Sequence, residues 1–187
     1  MNKFEVTSGV IVCSDPCYEI PTWCQGIVEN VKKGTWIADT ESVNSFGDRI
    51  SKLRVCHESE FSLRGEWEML DFTAGVDSGQ FGFFDKDSYR NDEIAKGLEK
   101  YDFGDMFPQT KESGEDWYRA CCKLTLSEEN WGTIPNGVVS SSGYGDGSYD
   151  VWGCKDSNGE YIAFEIVFIE DEDLEDEEDE FQNQEED

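Results

Sequence analysis

Basic residues are scarce in this chain of 187 residues, where 15 Lys and Arg stand against 43 Asp and Glu and there is one histidine. The resulting formal charge of −28 repels the phosphates of nucleic acids and of anionic lipids. This imbalance excludes ordinary nucleic-acid binding through a basic surface and argues against docking on a membrane. We therefore expect no direct nucleic-acid partner and no membrane partner.

Long apolar runs are also missing, since no stretch of about 18 apolar residues, the length that crosses a bilayer, occurs in the sequence. The first residues lack the basic segment and following apolar segment that mark a secretory signal. We expect a cytoplasmic protein. The seven cysteines, an odd number in a chain with this start, are then expected to be reduced thiols rather than a disulfide framework.

The cysteine spacing gives little support to a zinc site, which typically needs two close pairs. Cys13, Cys17 and Cys24 are separated by three and six residues. Cys56 and His57 are neighbours in a predicted strand, where adjacent side chains point to opposite faces, so a cysteine–histidine dyad is disfavoured. We expect no cofactor, and the candidate that stays open is a divalent cation held by carboxylates.

Aromatic residues are plentiful, with 6 Trp, 7 Tyr and 12 Phe, and they supply enough apolar area for a core. Acidic residues are concentrated at the end, where residues 170–187 hold 13 of them and no basic residue. We predict one compact α+β domain over residues 1–169 and a disordered acidic tail over residues 170–187. The predicted domain still has 30 acidic and 15 basic residues, so its acidity does not depend on the tail.

The hydrophobic pattern predicts a β-dominated α+β fold, with an antiparallel or mixed sheet and one or two helices packed on it. In the first half, β-branched residues predict one strand over residues 4–13, bent at Gly9. A hairpin is predicted around Lys32-Lys33-Gly34, and residues 50–56 and 67–72 are predicted to be further strands.

The end of the domain carries the strongest strand signals, over residues 138–140, 149–152 and 161–169. Asn158-Gly159 is a favoured pair for a tight type I′ hairpin. In the last strand, alternation puts Ile162 on the same face as Phe164, and both faces are apolar, as is typical of a central strand.

Helices are predicted in the middle of the chain. Trp117, Cys121 and Leu124 form one apolar stripe of a helix over residues 116–124, with Ser113 and Asp116 as a capping pair. Residues 91–101 show a weaker helical pattern, and residues 102–114 between the two helices are predicted to be a surface loop.

Three segments hold more Asp, Ser, Gly and Tyr than a simple connection needs. In Ser14–Tyr18 (SDPCY), Pro16 forces Asp15 out of the α region, which can aim its carboxylate at a cleft or simply end the strand in an Asx turn. The glycines of residues 75–85 permit close approach of a ligand or a bulged strand pair.

The third segment, residues 140–150 (SSSGYGDGSYD), has three glycines whose amides can form an anion-binding nest, or two carboxylates that can hold a hard cation. It lacks the lysine of a P-loop and the terminal glutamate of an EF-hand. It can equally be a loop that joins two strands.

These three segments together (SDPCY, GVDSGQ and SSSGYGDGSYD) resemble uncharacterised bacterial and phage proteins related to the domain of unknown function 4241. The resemblance spans about residues 10–169 and leaves out the acidic tail. It implies one compact domain, a bacterial or phage source, and convergence of Asp77, Asp146 and their neighbours. It implies no activity.

We expect binding rather than catalysis. The chain is interpreted as an acidic binding protein whose loops form a shared polar pocket for a small ligand, or whose acidic surface and tail engage a basic protein partner. The candidate ligand-binding residues are Asp15, Tyr18, Asp77, Ser78, Gln80, Tyr144 and Asp146.

Two other classes of function stay open. A hydrolase can use Asp15, Asp77 and Asp146 directly or through Mg²⁺, Mn²⁺ or Ca²⁺, because hard ions prefer oxygen ligands. A weaker variant uses Cys17 as a nucleophile. The third class is an acidic nucleic-acid mimic that occupies the basic groove of a DNA-binding protein.

Overall fold

The computed structural model describes residues 2–60, 65–104, 113–170 and 174. Within these residues the chain forms eleven β-strands, one α-helix and two short 3-10 helices, at Glu58–Glu60 and Lys86–Ser88. In chain order the elements are β1 (Asn2–Val6), β2 (Ile11–Ser14), β3 (Gly26–Val28), β4 (Gly34–Asn44), β5 (Asp48–His57), β6 (Glu66–Val76), β7 (Gln80–Asp85), α1 (Glu115–Thr125), β8 (Trp131–Ile134), β9 (Gly137–Ser141), β10 (Gly147–Lys155) and β11 (Tyr161–Val167).

The strands form two antiparallel sheets that face each other. The six-stranded sheet has the order β1-β4-β5-β11-β10-β6, and the five-stranded sheet has the order β3-β2-β7-β9-β8. Aromatic side chains fill the space between them, where Phe83 stacks on Phe164 with ring centroids 5.8 Å apart. Helix α1 covers the other face of the five-stranded sheet, with Trp117 against Phe84. The predicted β-dominated α+β class is confirmed, but the sheet is divided in two.

The N-terminal apolar run is two strands, not one strand bent at Gly9. β1 belongs to the six-stranded sheet and β2 to the five-stranded sheet. Gly9 turns the chain between them at φ +78°, a conformation that glycine adopts readily. The hairpin predicted around Gly34 is wrong for the same reason, because β3 and β4 lie in different sheets. Residue preferences identify a strand but not the sheet that it joins.

Five other predicted strands are confirmed, as β5, β6, β9, β10 and β11, and β11 is central in its sheet. The turn between β10 and β11 differs from a two-residue hairpin. The carbonyl of Asp156 accepts a hydrogen bond from the Gly159 amide at 3.0 Å, so Asn158 is inside the turn and Gly159 follows it with positive φ.

A bulge in β11 changes the side to which one residue points. Cys154 pairs with Ala163 and Lys155 pairs with Tyr161, which leaves Ile162 as the extra residue. Ile162 therefore packs with Cys154 on the outer side of the six-stranded sheet, away from Phe164 in the core. The alternation predicted for these two residues is wrong at this bulge.

Helix α1 confirms the helix predicted over residues 116–124, but its cap is not the predicted pair of Ser113 and Asp116. The N-cap residue, Gly114, has no side chain that can cap. The carboxylate of Asp92 accepts hydrogen bonds from the backbone amides of Gly114 at 3.0 Å and Trp117 at 3.1 Å. A carboxylate there also complements the positive end of the helix dipole.

The helix predicted over residues 91–101 is wrong. This segment forms successive turns with three-residue spacing, in which the Leu98 amide bonds to the Ala95 carbonyl at 3.1 Å, and Gly97 has a φ of +83°. Its apolar side chains, including Ile94 and Leu98, pack beside α1.

Parts of two predictions lie outside the described residues. These are residues 105–112 of the predicted surface loop, and residues 171–173 and 175–187 of the predicted acidic tail. Leu174 packs against the core between the sheets. The division into a domain and a disordered tail stays a prediction.

All seven cysteines are free thiols, and five of them are buried. In the part of the chain that the structure describes, no helix combines the length and the apolarity that a membrane crossing needs.

Candidate functional site

Asp15 follows β2 and is fully buried. Its Oδ2 accepts hydrogen bonds from the backbone amides of Asp77 at 2.9 Å and Ser78 at 2.7 Å. Its Oδ1 accepts from the Ser78 hydroxyl at 2.6 Å and from the Cys17 amide at 2.9 Å, the bond of an Asx turn. Four donors use the accepting capacity of both oxygens. The carboxylate therefore fastens the β6–β7 turn, residues 77–79, to the end of β2.

Strand pairing explains why the three polar segments meet at one end of the five-stranded sheet. Ser14 at the end of β2 pairs with Gly82, and Gln80 at the start of β7 pairs with Ser141 at the end of β9. The carbonyl of Gly79 in the β6–β7 turn accepts a hydrogen bond from the Ser142 amide at 3.1 Å. Because neighbouring strands run in opposite directions, the end of β2, the start of β7 and the end of β9 lie side by side.

A cavity of about 180 Å³ opens beside this turn, between the sheet and α1. Gln80, Cys122 and Thr125 are buried at its inner wall, and Leu126 lies at the exposed edge. We call this space the Gln80 cavity. The lining residues that the structure describes are Ser78, Gly79, Gln80, Phe103, Tyr118, Cys122, Thr125, Leu126 and Ser141.

Gln80 is 6% exposed, and the two ends of its side-chain amide are bonded unequally. Its oxygen accepts a hydrogen bond from the Thr125 hydroxyl at 2.9 Å. Its nitrogen lies 3.3 Å from the Ser78 Oγ, 3.5 Å from the Tyr118 hydroxyl and 3.4 Å from the Cys122 Sγ. Hydrogen bonds from nitrogen to oxygen are typically about 2.7–3.2 Å long, and a thiol is a weak acceptor. The two N–H donors are therefore only loosely held.

The described lining residues of the Gln80 cavity are all uncharged. Burial, and then the nearby Cys122, raise the pKa of the Tyr118 hydroxyl. Burial also raises the pKa of the Cys122 thiol. Both groups are protonated at neutral pH, so the cavity presents neutral hydrogen-bonding groups. At its edge, the Arg119 guanidinium lies 5.8 Å from the Phe103 ring and forms an ion pair with Glu115.

Asp77 lies in the β6–β7 turn, and Tyr18 and Cys17 border it, but these three residues do not line the Gln80 cavity. Burial, and then a hydrogen bond to the carboxylate of Asp77, raise the pKa of the Tyr18 hydroxyl. Burial, and then the negative charge of Asp15, raise the pKa of the Cys17 thiol. The raised pKa disfavours the thiolate, which is the nucleophilic form of cysteine.

Tyr144 and Asp146 lie in the next turn and are not among the lining residues. The Tyr144 hydroxyl is 2.7 Å from the Ser45 Oγ, and the Arg49 guanidinium lies 5.2 Å from its ring centre. Tyr144 thus fastens the β9–β10 turn to the β4–β5 turn, while Asp146 is exposed. The structure gathers five of the seven predicted residues around the β6–β7 turn, namely Asp15, Tyr18, Asp77, Ser78 and Gln80.

The described part of the chain contains no group of three or more His, Cys, Asp or Glu residues placed to hold a metal ion. Asp15 in particular has both carboxylate oxygens bonded to protein donors. The carboxylate-dependent hydrolase stays an untested prediction. So do the nucleic-acid mimic, the basic protein partner and the cytoplasmic location.

Sequence reasoning missed the contribution of α1 to the cavity. Tyr118, Cys122 and Thr125 recur at positions i, i+4 and i+7, which puts three polar or weakly polar side chains on one face of a helix. They lie beside the buried stripe of Trp117 and Cys121, so the predicted helix contained this signal. Phe103 and Leu126 have no comparable pattern around them.

Comparison with known proteins gives a family but no described activity. No curated protein and no solved structure matches the chain. The family model described as "Protein of unknown function (DUF4241)" matches residues 4–166, from β1 into β11. The matched region includes the three polar segments and all the described residues of the Gln80 cavity. The chain therefore belongs to the DUF4241 family of proteins of unknown function.

Proposed function

We propose that this protein is a non-catalytic binding protein that takes a small ligand into the Gln80 cavity. The observation that carries the proposal is the loosely held amide nitrogen of Gln80, whose contacts are 3.3 to 3.5 Å long although the residue is buried. A buried donor with no partner costs about 1–3 kcal/mol, and long contacts such as those of Gln80 recover only part of this cost. A ligand that accepts a hydrogen bond from Gln80 offsets this cost.

The volume of the cavity limits the size of the ligand. An apolar cavity of about 150 Å³ is large enough for benzene. Sites for drug-sized molecules begin at about 300 Å³. The Gln80 cavity, at about 180 Å³, lies between these values. It suits one ring or a group of similar size, either free or at the end of a larger molecule.

The lining groups favour binding over catalysis. The Ser78 hydroxyl donates to Asp15, but that carboxylate also accepts three backbone amides and is not placed as a free base. The raised pKa of Cys122 keeps its thiol protonated. An activated nucleophile needs an adjacent base or a lowered pKa, and neither is present among these residues.

Native mass spectrometry of the full chain, purified gently from cells, tests the proposal. We expect an added mass that is lost when the protein is denatured. Leu126→Trp places an indole at the exposed edge of the cavity and should abolish the added mass. Met69→Trp is the matched control, because Met69 is 56% exposed on β6 and Leu126 is 60% exposed. An added mass that persists in Leu126→Trp contradicts binding in this cavity, and so does its absence from the wild-type protein.

A further inference from the structure

We propose that the ligand of the Gln80 cavity carries an uncharged amide group, in which a carbonyl adjoins an N–H, as in a carboxamide, a lactam or a cyclic imide. Ser78 and Gln80 would each bind one half of that group. This inference rests on the proposed function and adds the chemical class of the ligand.

Ser78 is an acceptor toward the cavity. Its hydroxyl hydrogen is used in the 2.6 Å bond to Oδ1 of Asp15. Its backbone amide bonds to the other oxygen of the same carboxylate at 2.7 Å, which fixes the position of the residue. The lone pairs of the Ser78 Oγ face the Gln80 nitrogen at 3.3 Å and the Tyr118 hydroxyl, so a ligand donor would replace a long contact with a shorter hydrogen bond.

Gln80 is a donor toward the cavity. Its amide oxygen is held by Thr125 at 2.9 Å, which orients the amide with its nitrogen toward Ser78 and Tyr118. The Gln80 nitrogen and the Ser78 Oγ are 3.3 Å apart, so a donor and an acceptor stand side by side. An amide group of a ligand presents the complementary pair, with its carbonyl facing Gln80 and its N–H facing Ser78.

The same arrangement disfavours charged groups of equal shape. A carboxylate offers two acceptors, but the Ser78 hydrogen is already used by Asp15, and none of the lining residues that the structure describes carries a positive charge. An amidinium offers only donors, so it leaves the Gln80 N–H groups facing other donors. Either mismatch leaves buried polar groups unpaired, which is the strongest basis for discrimination between ligands of one shape.

Benzamide, benzoate and benzamidine test this inference because they share one shape and differ in charge and hydrogen-bonding groups. Binding to the full-length protein is measured by titration calorimetry or by ligand-observed NMR. We expect benzamide to bind saturably, and benzoate and benzamidine to bind at least about tenfold more weakly, which corresponds to about 1.4 kcal/mol. The net charge of −28 attracts benzamidine, so a preference for benzamide over benzamidine does not follow from overall charge. The same charge repels benzoate, so the comparison with benzamidine is the stricter test.

Ser78→Ala and Ser8→Ala form a matched pair of variants. The Ser8 hydroxyl also donates to a buried carboxylate, that of Asp85, at 3.0 Å, but Ser8 does not line the cavity. We expect Ser78→Ala to weaken benzamide binding at least about fivefold and Ser8→Ala to leave it unchanged. Should Ser78→Ala fail to fold, Leu126→Trp replaces it, because it closes the cavity from an exposed position.

The outcomes separate the two proposals. No benzamide binding, or equal or tighter binding of benzoate or benzamidine, overturns the amide inference. If the added mass in native spectra is nevertheless abolished by Leu126→Trp, the cavity still binds a ligand, but of another class. Benzamide binding that survives both Ser78→Ala and Leu126→Trp also overturns the inference, because the probe then binds elsewhere.

Discussion

Asp15 and Asp85 fasten the two opposite ends of one antiparallel strand pair, β2 and β7, in the same manner. Asp15 follows β2 and binds the turn that precedes β7, whereas Asp85 ends β7 and binds the turn that precedes β2. Oδ2 of Asp85 accepts hydrogen bonds from the amides of Thr7 at 2.7 Å and Ser8 at 2.8 Å. Both carboxylates are fully buried, and each also accepts a serine hydroxyl. The strand pair that carries Gln80 is thus held at both ends.

Replacing either aspartate by asparagine should destabilise the fold. An asparagine puts an NH₂ group where backbone amides already donate, so at least one buried donor loses its partner. We expect Asp15→Asn and Asp85→Asn each to lower the free energy of unfolding by roughly 2–3 kcal/mol, measured by urea denaturation. Asp146→Asn, at an exposed position, should change it by less than about 0.5 kcal/mol. Equal effects at all three positions would contradict the fastening role.

The cap of α1 gives a second prediction. Asp92→Ala removes the carboxylate that accepts from two amides at the start of the helix, and it should cost about 1 kcal/mol of unfolding free energy. Ser113→Ala tests the cap that the sequence suggested and should cost less than about 0.5 kcal/mol. A larger loss of stability in Ser113→Ala than in Asp92→Ala would contradict the assignment of Asp92 as the cap of α1.

Cys17 should be a slow nucleophile despite being only partly buried. Burial and the charge of Asp15 raise the pKa of its thiol, so little thiolate forms near pH 8. We expect iodoacetamide at that pH to modify Cys17 much more slowly in the folded protein than in concentrated urea. Mass spectrometry of the alkylated peptides measures both rates. Rapid alkylation of Cys17 in the folded protein would contradict this prediction and support Cys17 as a nucleophile.

The protein should also lose stability in alkaline solution. Burial raises the pKa of several thiols and phenols above their ordinary values, so the folded state holds these protons more tightly than the unfolded state. The stabilisation is complete below the unfolded pKa of about 8.5 for cysteine and about 10 for tyrosine, and it is lost as pH rises beyond those values. The free energy of unfolding, measured with urea between about pH 8 and pH 11, should decrease steadily as the pH rises. The groups concerned are Cys13, Cys17, Cys121, Tyr18, Tyr89 and Tyr118.

The sequence predicts where the strands lie better than it predicts which strands pair with each other. Alternation and β-branched residues identify β5, β6, β9, β10 and β11, because these signals are local. Assignment to one of two sheets depends on contacts between distant residues. From the sequence, Gly9 therefore suggests a bend in one strand, whereas in the structure its positive φ turns the chain from one sheet to the other. The bulge at Ile162 is hidden for the same reason, since one extra residue appears only against a partner strand.

The candidate site is also only partly visible in the sequence. Asp15, Ser78 and Gln80 are recognisable because polar residues next to glycine and proline are typical of functional turns. Tyr144 has the same local pattern, yet it contacts Ser45 in another hairpin. Side-chain direction depends on what packs nearby, and the wall that α1 adds beside Gln80 comes from a distant part of the sequence, with Thr125 bonded to Gln80 across 45 residues.

The side-chain amide of Gln80 gives the most direct test of ligand binding in the cavity. Its two N–H signals can be followed by NMR of the ¹⁵N-labelled full chain during a titration with benzamide, and assigned by their loss in Gln80→Glu. Gln25 is the internal control, because its buried amide has short bonds to Ser14 at 2.9 Å and to Thr22 at 2.8 Å. We predict that the Gln80 signals shift saturably and that those of Gln25 stay in place. Gln80 signals that do not move, or that move no more than those of Gln25, would contradict binding at this site.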